Sequence, residues 1–240
     1  MRRIYRIGGA LPRPPRLVTA SAADDLARGA LALLPTETVY GIGVAVSSLP
    51  AELPDSGSGY RRIFSLKRRE LAQTVPWLVG GVEALDAYGS QVDPRARALA
   101  EAFWPGALTI VVKASPAVPA FLRADDGTVA LRMSASPVVL ALTRALSSPL
   151  AVTSANTHGM PAPTSFNEVE PRILSGVDLA VDAGATPCRE ASTIVSLVSG
   201  GLEILREGAL PAERIRRALA SAPSSAPHTD TACATGAGIQ

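Results

Sequence analysis

"ALALLPTETVYGIGVAV", residues 30 to 46, places a polar interruption between two apolar runs. Each run has the length and composition of a buried β-strand. The interruption contains three polar side chains, Thr36, Glu37 and Thr38, and two glycines, Gly41 and Gly43, follow it. In α/β proteins, ligands bind where polar loops leave strand ends, and glycine allows a close backbone approach. The stretch therefore predicts one wall of a binding site, with an ordinary turn between strands as the alternative.

The composition is that of a globular protein in a reducing compartment. Of the 240 residues, 47% are apolar and 18% are charged, which fits one domain or two small ones. No apolar run is long enough to cross a membrane, and the basic N-terminus lacks the apolar segment of a secretory signal. The two cysteines, Cys188 and Cys233, support neither a disulfide framework nor a zinc site and favour the cytoplasm. A net charge of +2 is too small to indicate a nucleic-acid partner by itself.

Short apolar runs alternate with helical patterns along most of the chain, which predicts a single α/β domain with a twisted, mixed sheet and flanking helices. Residues 1–15, rich in proline and glycine, are predicted to form a flexible arm. Residues 16–220 are predicted to form the folded domain, and 221–240 a disordered tail. At the start of the domain, residues 16–20 ("RLVTA") predict a strand, and Ser21 predicts the N-cap of the helix that follows.

The basic segment "SLKRRE" ends a predicted helix with Lys67, Arg68 and Arg69. Cations at a helix C-terminus are favoured by the helix dipole, so a solvated helix end is one interpretation. The other is a phosphate clamp, with lysine as a point charge and arginine as a planar donor fork. The sequence contains no G-x-x-x-x-G-K-[ST], so a nucleotide here would not be held by a P-loop.

A second polar segment, residues 150–165 ("LAVTSANTHGMPAPTS"), follows a predicted strand that ends in Thr153, Ser154 and Asn156. These small hydrogen-bonding side chains either cap a turn or hold a phosphate or ribose. The histidine in this segment, His158, has no acidic or cysteine neighbour that would indicate a triad or a metal site.

Two arginines, Arg132 and Arg206, lie in predicted strands, and Ser192 lies in another. Burying an arginine is costly unless it is paired. The two arginines are therefore either surface residues or lining residues of a shared cavity that attracts an anion.

The order of these segments resembles that of the TsaC/YrdC family of threonylcarbamoyl-AMP synthases. The specific motifs are P-T-E-T-V-Y-G-x-G and S-A-N-x-x-G-x-P-x-P-T, and the resemblance covers about Arg16 to Ala220. It implies an α/β catalytic domain around a basic concave cavity. The implied reaction converts L-threonine, bicarbonate and ATP into threonylcarbamoyl-AMP and pyrophosphate. ATP is a substrate, Mg²⁺ is expected on its phosphates, and no tightly bound cofactor is implied.

The resemblance also implies partners and site residues. The product passes to a tRNA threonylcarbamoyl transferase complex, and a weak direct contact with tRNA is compatible with the basic cavity. Eight residues match polar positions of the family's site, and none is a metal ligand. On the threonine side these are Thr36, Arg132 and Ser192. On the nucleotide side they are Lys67 and Arg69, expected to hold the ATP phosphates and act in catalysis, with Ser154, Asn156 and Arg206.

The chain departs from the family pattern at several positions. Leu78 stands where many members have a histidine that contacts threonine, and Arg123 stands where several have a nucleotide-contacting threonine. Glu70 replaces a proline, and Ala191 replaces a glutamate. These departures leave open a related enzyme that adenylates another carbamate or carbamoyl donor. An RNA-binding protein without catalysis is the third alternative, with weak support because only 4% of the residues are aromatic.

Overall fold

The described residues, 3–8 and 12–221, contain ten strands that form one mixed sheet in the computed structural model. The strands are β1 (Arg3–Arg6), β2 (Ala32–Pro35), β3 (Tyr40–Ala45), β4 (Trp77–Leu78), β5 (Leu108–Lys113), β6 (Thr128–Arg132), β7 (Leu150–Ser154), β8 (Leu179–Asp182), β9 (Thr193–Ser196) and β10 (Glu203–Arg206). Their order across the sheet is β1-β8-β2-β3-β7-β4-β6-β5-β9-β10. The pairs β1–β8, β2–β8, β4–β6 and β5–β9 are parallel, and the others are antiparallel. The predicted mixed α/β sheet is confirmed.

The polar interruption of the opening stretch is the turn of the β2–β3 hairpin. Every residue of both strands is buried, which explains why they form continuous apolar runs rather than an alternating pattern. The two glycines of β3 allow β7 to approach closely. A Cβ atom on Gly41 would lie 2.5 Å from Val152 Cγ1, and one on Gly43 would collide with the backbone of β7.

Seven helices occur in the described part of the chain: α1 (Arg16–Ala27), α2 (Gly59–Lys67), α3 (Ala84–Tyr88), α4 (Pro94–Phe103), α5 (Pro137–Leu146), α6 (Pro171–Gly176) and α7 (Ala212–Ser221). The sequence marks several of their ends. Asp93 caps α4, its side chain accepting from the backbone N–H of Arg95 at 2.8 Å, and proline occupies the first helical position. Arg68 ends α2 in the left-handed conformation, with φ of 52°. None of these helices combines the length and the apolar character needed to cross a bilayer.

The two faces of the sheet are covered to different extents. On one face a large core, which includes Tyr60 of α2, Leu99 of α4 and Ile215 of α7, packs along most of the sheet. On the other face a smaller core joins α1 and α5 to β2, β3, β4, β7 and β8. No described residue of β5, β6, β9 or β10 belongs to that smaller core. Because α1 and α5 cover only half of this face, the other half is available for a binding site.

Two predictions at the N-terminus were wrong. Residues 16–20, predicted as a strand, form the first turns of α1, so Ser21 lies inside the helix and is not its N-cap. The short "LVT" run is not buried as a strand would be, and Leu17 is 86% exposed. Part of the predicted flexible arm, Arg3–Arg6, is an edge strand parallel to β8. The predicted tail begins at Ser221, the last residue of α7, and its other residues lie outside the described ones.

Candidate active site

Two adjoining spaces form the candidate site, which reaches from Thr109 and Arg132 on the uncovered strands to Leu78 and Val152 of the smaller core. The inner cavity, with a volume of about 100 Å³, is bounded by the β2–β3 turn and by strands on both sides of β6. Its lining includes Thr36, Leu78, Thr109, Arg132, Ser192 and Arg206. The outer groove, about 710 Å³, is lined by Lys67, Arg69, Asp125, Asn156, His158 and Arg206, among others. The two spaces meet at Thr153, Ser154 and Arg206, which line both.

The structure brings all the predicted site residues to these two spaces. Those predicted on the threonine side line the inner cavity: Thr36, Arg132 and Ser192. Those predicted on the nucleotide side line the outer groove: Lys67, Arg69, Ser154, Asn156 and Arg206. What these residues bind remains a prediction. The residues predicted for threonine and those predicted for the nucleotide nevertheless line different spaces, apart from Ser154 and Arg206, which line both.

Arg132 is held by a buried ion pair. Its Nη2 donates to Glu37 Oε1 at 2.6 Å and to Thr38 Oγ1 at 3.0 Å, and its Nε donates to the carbonyl of Gly106 at 3.0 Å. Ser134 donates to the other oxygen of Glu37. Burial alone would raise the pKa of the Glu37 carboxyl, but the charge of Arg132 and the hydrogen bonds from Ser134 and Arg132 lower it. The Nη1 of Arg132 has no hydrogen-bond partner among the described residues, so it is available to a ligand in the cavity.

Glu37 is a residue of the site that sequence reasoning did not assign, although it lies in the opening stretch. The available signal was Arg132 itself, because a buried arginine requires an acidic partner. The pair is separated by 95 positions in the chain. Of the two interpretations for Arg132 and Arg206, the structure shows the shared cavity, because both arginines line it.

The hydroxyl of Thr36 is used inside the β2–β3 turn. It donates to the carbonyl of Val39 at 2.6 Å, accepts from the N–H groups of Thr38 and Val39 at 3.1 Å, and lies 2.8 Å from the hydroxyl of Thr38. A hydroxyl offers one hydrogen and two lone pairs, so this set leaves nothing for a ligand. Thr36 therefore shapes the cavity wall through the turn, rather than presenting a free hydroxyl as the sequence suggested.

Ser192 belongs to a hydrogen-bonded set at the end of the cavity next to the groove. Its hydroxyl lies 2.9 Å from that of Thr109. Arg206 donates to the Ser192 carbonyl at 2.7 Å and to its hydroxyl at 3.3 Å. Partial burial lowers the pKa of Arg206, and so does the nearby positive charge of Arg132. The cavity therefore holds two cations close together. Thr109 was not singled out from the sequence because the run "ALTIVVKA" has the pattern of an ordinary core strand.

Lys67 is buried, with 3% of its surface exposed, so the interpretation of a solvated helix end is wrong for this residue. Its Nζ donates to the carbonyl oxygens of Ser154 at 2.5 Å and Asn156 at 2.8 Å, and to Asn156 Oδ1 at 3.2 Å. Burial, reinforced by the charge of Arg69, lowers the pKa of the Lys67 ammonium to about 8. Lys67 thus anchors the loop after β7 as well as bringing a charge to the groove.

Arg69 is partly buried beside Lys67. Its Nη2 donates to the carbonyl of Thr74 at 2.5 Å and its Nη1 to the hydroxyl of Thr153 at 3.3 Å. Its guanidinium carbon lies 6.0 Å from the centre of the Phe64 ring. Burial lowers the pKa of Arg69. Its Nε is buried without a partner in the described part of the chain.

The loop after β7 uses the side chain of Asn156 for its own structure. The Asn156 amide donates to the carbonyls of Thr157 at 2.9 Å and Met160 at 2.5 Å, while its oxygen accepts from Lys67. Among the described residues, the Ser154 hydroxyl has only a long contact, 3.4 Å, with Lys67 Nζ. Of the two predicted nucleotide ligands, Ser154 therefore has the freer side chain.

Leu78, which stands at the position of the family's histidine, contributes both to the cavity wall and to the core. It lines the inner cavity and also packs in the smaller core, with 3% exposure. Trp77 lies in the large core on the opposite face, so it does not compete for this space. Arg123 donates to the carbonyl of Val118 at 2.8 Å and does not line either space.

The chain is similar to several known proteins. A family model named Sua5_yciO_yrdC, described as "Telomere recombination", matches residues 24–208. The threonylcarbamoyl-AMP synthase of Pyrococcus abyssi is 33% identical over 198 residues, 82% of this chain and 56% of that protein. The threonylcarbamoyl-AMP synthase of Vibrio cholerae is 31% identical over 189 residues, 78% of this chain and 95% of that protein. The crystal structure of P. abyssi Sua5 complexed with L-threonine matches with a TM-score of 0.80 and 31% identity, covering 90% of this chain and 60% of that one.

The chain spans little more than half of the P. abyssi protein and nearly all of the V. cholerae protein. The family model covers most of the described domain, and both relatives exceed 30% identity over more than three quarters of this chain. The resemblance inferred from the motifs is confirmed, and the chain belongs to the Sua5/YciO/YrdC family.

Proposed function

We propose that the chain is a threonylcarbamoyl-AMP synthase that converts L-threonine, bicarbonate and ATP into L-threonylcarbamoyladenylate and pyrophosphate. Relatives covering most of the chain carry this name, and the similar P. abyssi Sua5 structure contains L-threonine. The observation that carries the proposal is the meeting of a small cavity with an open groove at Ser154 and Arg206. A reaction that joins an amino acid to a nucleotide needs two such adjoining compartments.

In this proposal the inner cavity binds L-threonine and the outer groove binds ATP. The charged residues that line the cavity are Arg132 and Arg206, which suit a carboxylate. The groove is several times larger and carries Lys67 and Arg69, which suit a chain of phosphates. The α-phosphate of ATP would then lie at the junction, beside Arg206.

The chemistry needs positioning and charge stabilisation. The threonine amine attacks CO₂ or bicarbonate and loses a proton, giving a carbamate; from bicarbonate, water is also released. A carbamate oxygen then bonds to the α-phosphorus, and the bond to the bridging oxygen breaks as pyrophosphate leaves with the electron pair. Both the nucleophile and the leaving group are anionic. Cations fixed at the junction therefore lower the barrier without a covalent enzyme intermediate.

We further propose that Mg²⁺ enters the groove with ATP. Magnesium usually keeps several waters and binds through phosphates and one or two carboxylates. The groove offers the exposed carboxylate of Asp125, whereas Asp126 Oδ1 already accepts from the N–H and hydroxyl of Thr128. Bound there, Mg²⁺ would neutralise phosphate charge. Transfer of the product to a tRNA threonylcarbamoyl transferase complex in the cytoplasm also belongs to the proposal, supported by the family resemblance.

Pyrophosphate release, measured with each reactant omitted in turn, tests the proposal. We expect release only when ATP, L-threonine and bicarbonate are all present, with threonylcarbamoyl-AMP detected by mass spectrometry and no release by Arg206→Met. Release that requires a different amine would overturn the assignment in favour of a related adenylating enzyme. Absence of release, together with tight RNA binding, would favour a binding protein instead.

A further inference from the structure

Thr109 is a buried polar residue of β5. Its neighbours Leu108 and Ile110 are buried in the large core on the opposite face, while Thr109 itself, 1% exposed, lines the inner cavity. The parallel register of β5 and β9 brings its hydroxyl 2.9 Å from that of Ser192. A buried hydroxyl costs free energy unless it is hydrogen-bonded, so this contact determines what Thr109 can do.

The hydrogen bonds of this pair leave one hydroxyl hydrogen unused. Thr109 and Ser192 each have one hydroxyl hydrogen, and the bond between them uses one of the two. Arg206 only donates to Ser192, because a guanidinium has no acceptor. Within residues 3–8 and 12–221, neither hydroxyl has another acceptor. Whichever hydroxyl donates to the other, one O–H remains for a ligand in the cavity.

The groups around this O–H indicate the chemistry of that ligand. Arg132 lines the same cavity and its Nη1 has no hydrogen-bond partner among the described residues, while Arg206 lines the cavity and donates to Ser192. Glu37 is not among the residues that line the cavity, so its carboxylate does not compete there for these donors. An oxyanion can accept from a hydroxyl and a guanidinium at once, whereas an amine cannot satisfy either donor in its ammonium form.

We propose that Thr109 is a substrate-positioning residue: with Ser192 it holds one oxygen of the amino acid's α-carboxylate, while Arg132 supplies the charge. This inference rests on the proposed function. In one hydrogen arrangement Thr109 donates to the carboxylate directly. In the other it donates to Ser192 and orients that hydroxyl toward the ligand. The site then recognises the carboxylate independently of the β-hydroxyl of threonine.

Calorimetric titration of L-threonine and ATP into matched variants tests this role. Thr109→Val and Thr109→Ala remove the hydroxyl, Thr109→Ser retains it, and Thr143→Val removes a buried hydroxyl that bonds only to carbonyls within α5. We expect the first two to weaken threonine binding roughly tenfold or more while leaving ATP binding unchanged. Thr109→Ser and Thr143→Val should bind both ligands as the wild type does. Adding Thr109→Val to Ser192→Ala separates the two hydrogen arrangements: little further loss means that Thr109 acts through Ser192, and a further loss means that it donates to the carboxylate directly.

L-2-aminobutyrate, which keeps the carboxylate but lacks the β-hydroxyl, identifies the substrate group. We expect Thr109→Val to weaken its binding by the same factor as for threonine. If Thr109→Val weakens the binding of threonine but not that of L-2-aminobutyrate, the carboxylate assignment is overturned. Wild-type threonine affinity in both hydroxyl-free variants would overturn the role of Thr109 while leaving the proposed function intact. A wild type that binds no threonine would overturn both.

Discussion

The inner cavity and the outer groove hold their polar side chains in different ways. In the cavity, side chains bond to other side chains that are distant in the sequence, as Arg132 does to Glu37 and Ser192 to Thr109. In the groove, Lys67 and Arg69 donate mainly to backbone carbonyls of neighbouring loops. Substitutions in the cavity should therefore leave a buried partner unpaired, whereas substitutions in the groove should release a loop.

The largest effect is expected at the cavity, from Arg132→Met. This change leaves the Glu37 carboxylate buried without its cation, and breaking a buried pair in this way costs about 3–5 kcal/mol. Denaturant unfolding should show a loss of stability of this size together with a loss of threonine binding. The double variant Arg132→Met/Glu37→Gln should recover part of the stability but not the threonine binding. A single variant as stable as the wild type would show that the ion pair does not support the cavity.

The next largest effect is expected in the groove, from Lys67→Met. Truncating a lysine at a solvated helix end would cost little stability, but the buried ammonium of Lys67 satisfies the carbonyls of Ser154 and Asn156. Leaving a buried acceptor unsatisfied costs about 1–3 kcal/mol, so both stability and ATP affinity should fall. The control is Arg68→Asn, which removes an exposed neighbouring charge and suits the left-handed backbone there. Equal effects of the two variants on unfolding would contradict the anchoring role of Lys67.

A smaller effect is expected from replacing Leu78, and it should separate the contribution of this side chain to the cavity wall from its contribution to the smaller core. Leu78→His introduces an imidazole at the cavity wall and should tighten threonine binding by up to about tenfold, with ATP binding unchanged. The same change should lower the melting temperature, because a polar ring replaces a side chain of the smaller core. Leu78→Met, which conserves volume and polarity, is the control for packing. A lower melting temperature without tighter threonine binding would show that residue 78 does not reach the ligand.

The smallest effect is a pH dependence confined to the groove. Because the pKa of Lys67 is lowered to about 8, its charge is present below that pH and is lost as the pH rises through it. ATP affinity should therefore decline several-fold between about pH 7.5 and 9.5, with at most tenfold per unit for one proton. The lowered pKa of Glu37 keeps the cavity ion pair charged throughout this range. Titration of ATP into Lys67→Met at the same pH values should show no such decline.

The sequence predicted the mixed α/β fold because the alternation of strands and helices is a local signal. Continuous apolar runs identified buried strands, whereas Gly41 and Gly43, interpreted as room for a ligand, instead admit strand β7. The strand predicted at residues 16–20 was wrong because a short apolar run is compatible with both a helix and a strand. Tertiary contacts decide such cases, and α1 packs on α5 and β3.

The site residues matched by motif were brought together as predicted, but their environments could not be derived from the sequence. The burial of Lys67 depends on a loop 87 positions away, and a run of cations gives no sign of it. Thr109 meets Ser192 across 83 positions through the parallel register of β5 and β9. Neither contact has a local signature, since each requires the strand order of the whole sheet.

The central claim, that the cavity binds the amino acid and the groove binds the nucleotide, is tested most directly by one crossed titration. L-Threonine and ATP are each titrated into Ser192→Ala and Arg69→Ala, with folding checked by thermal melting. We expect Ser192→Ala to weaken threonine binding and spare ATP, and Arg69→Ala to weaken ATP binding and spare threonine. Equal weakening of both ligands by both folded variants would contradict the division into two compartments.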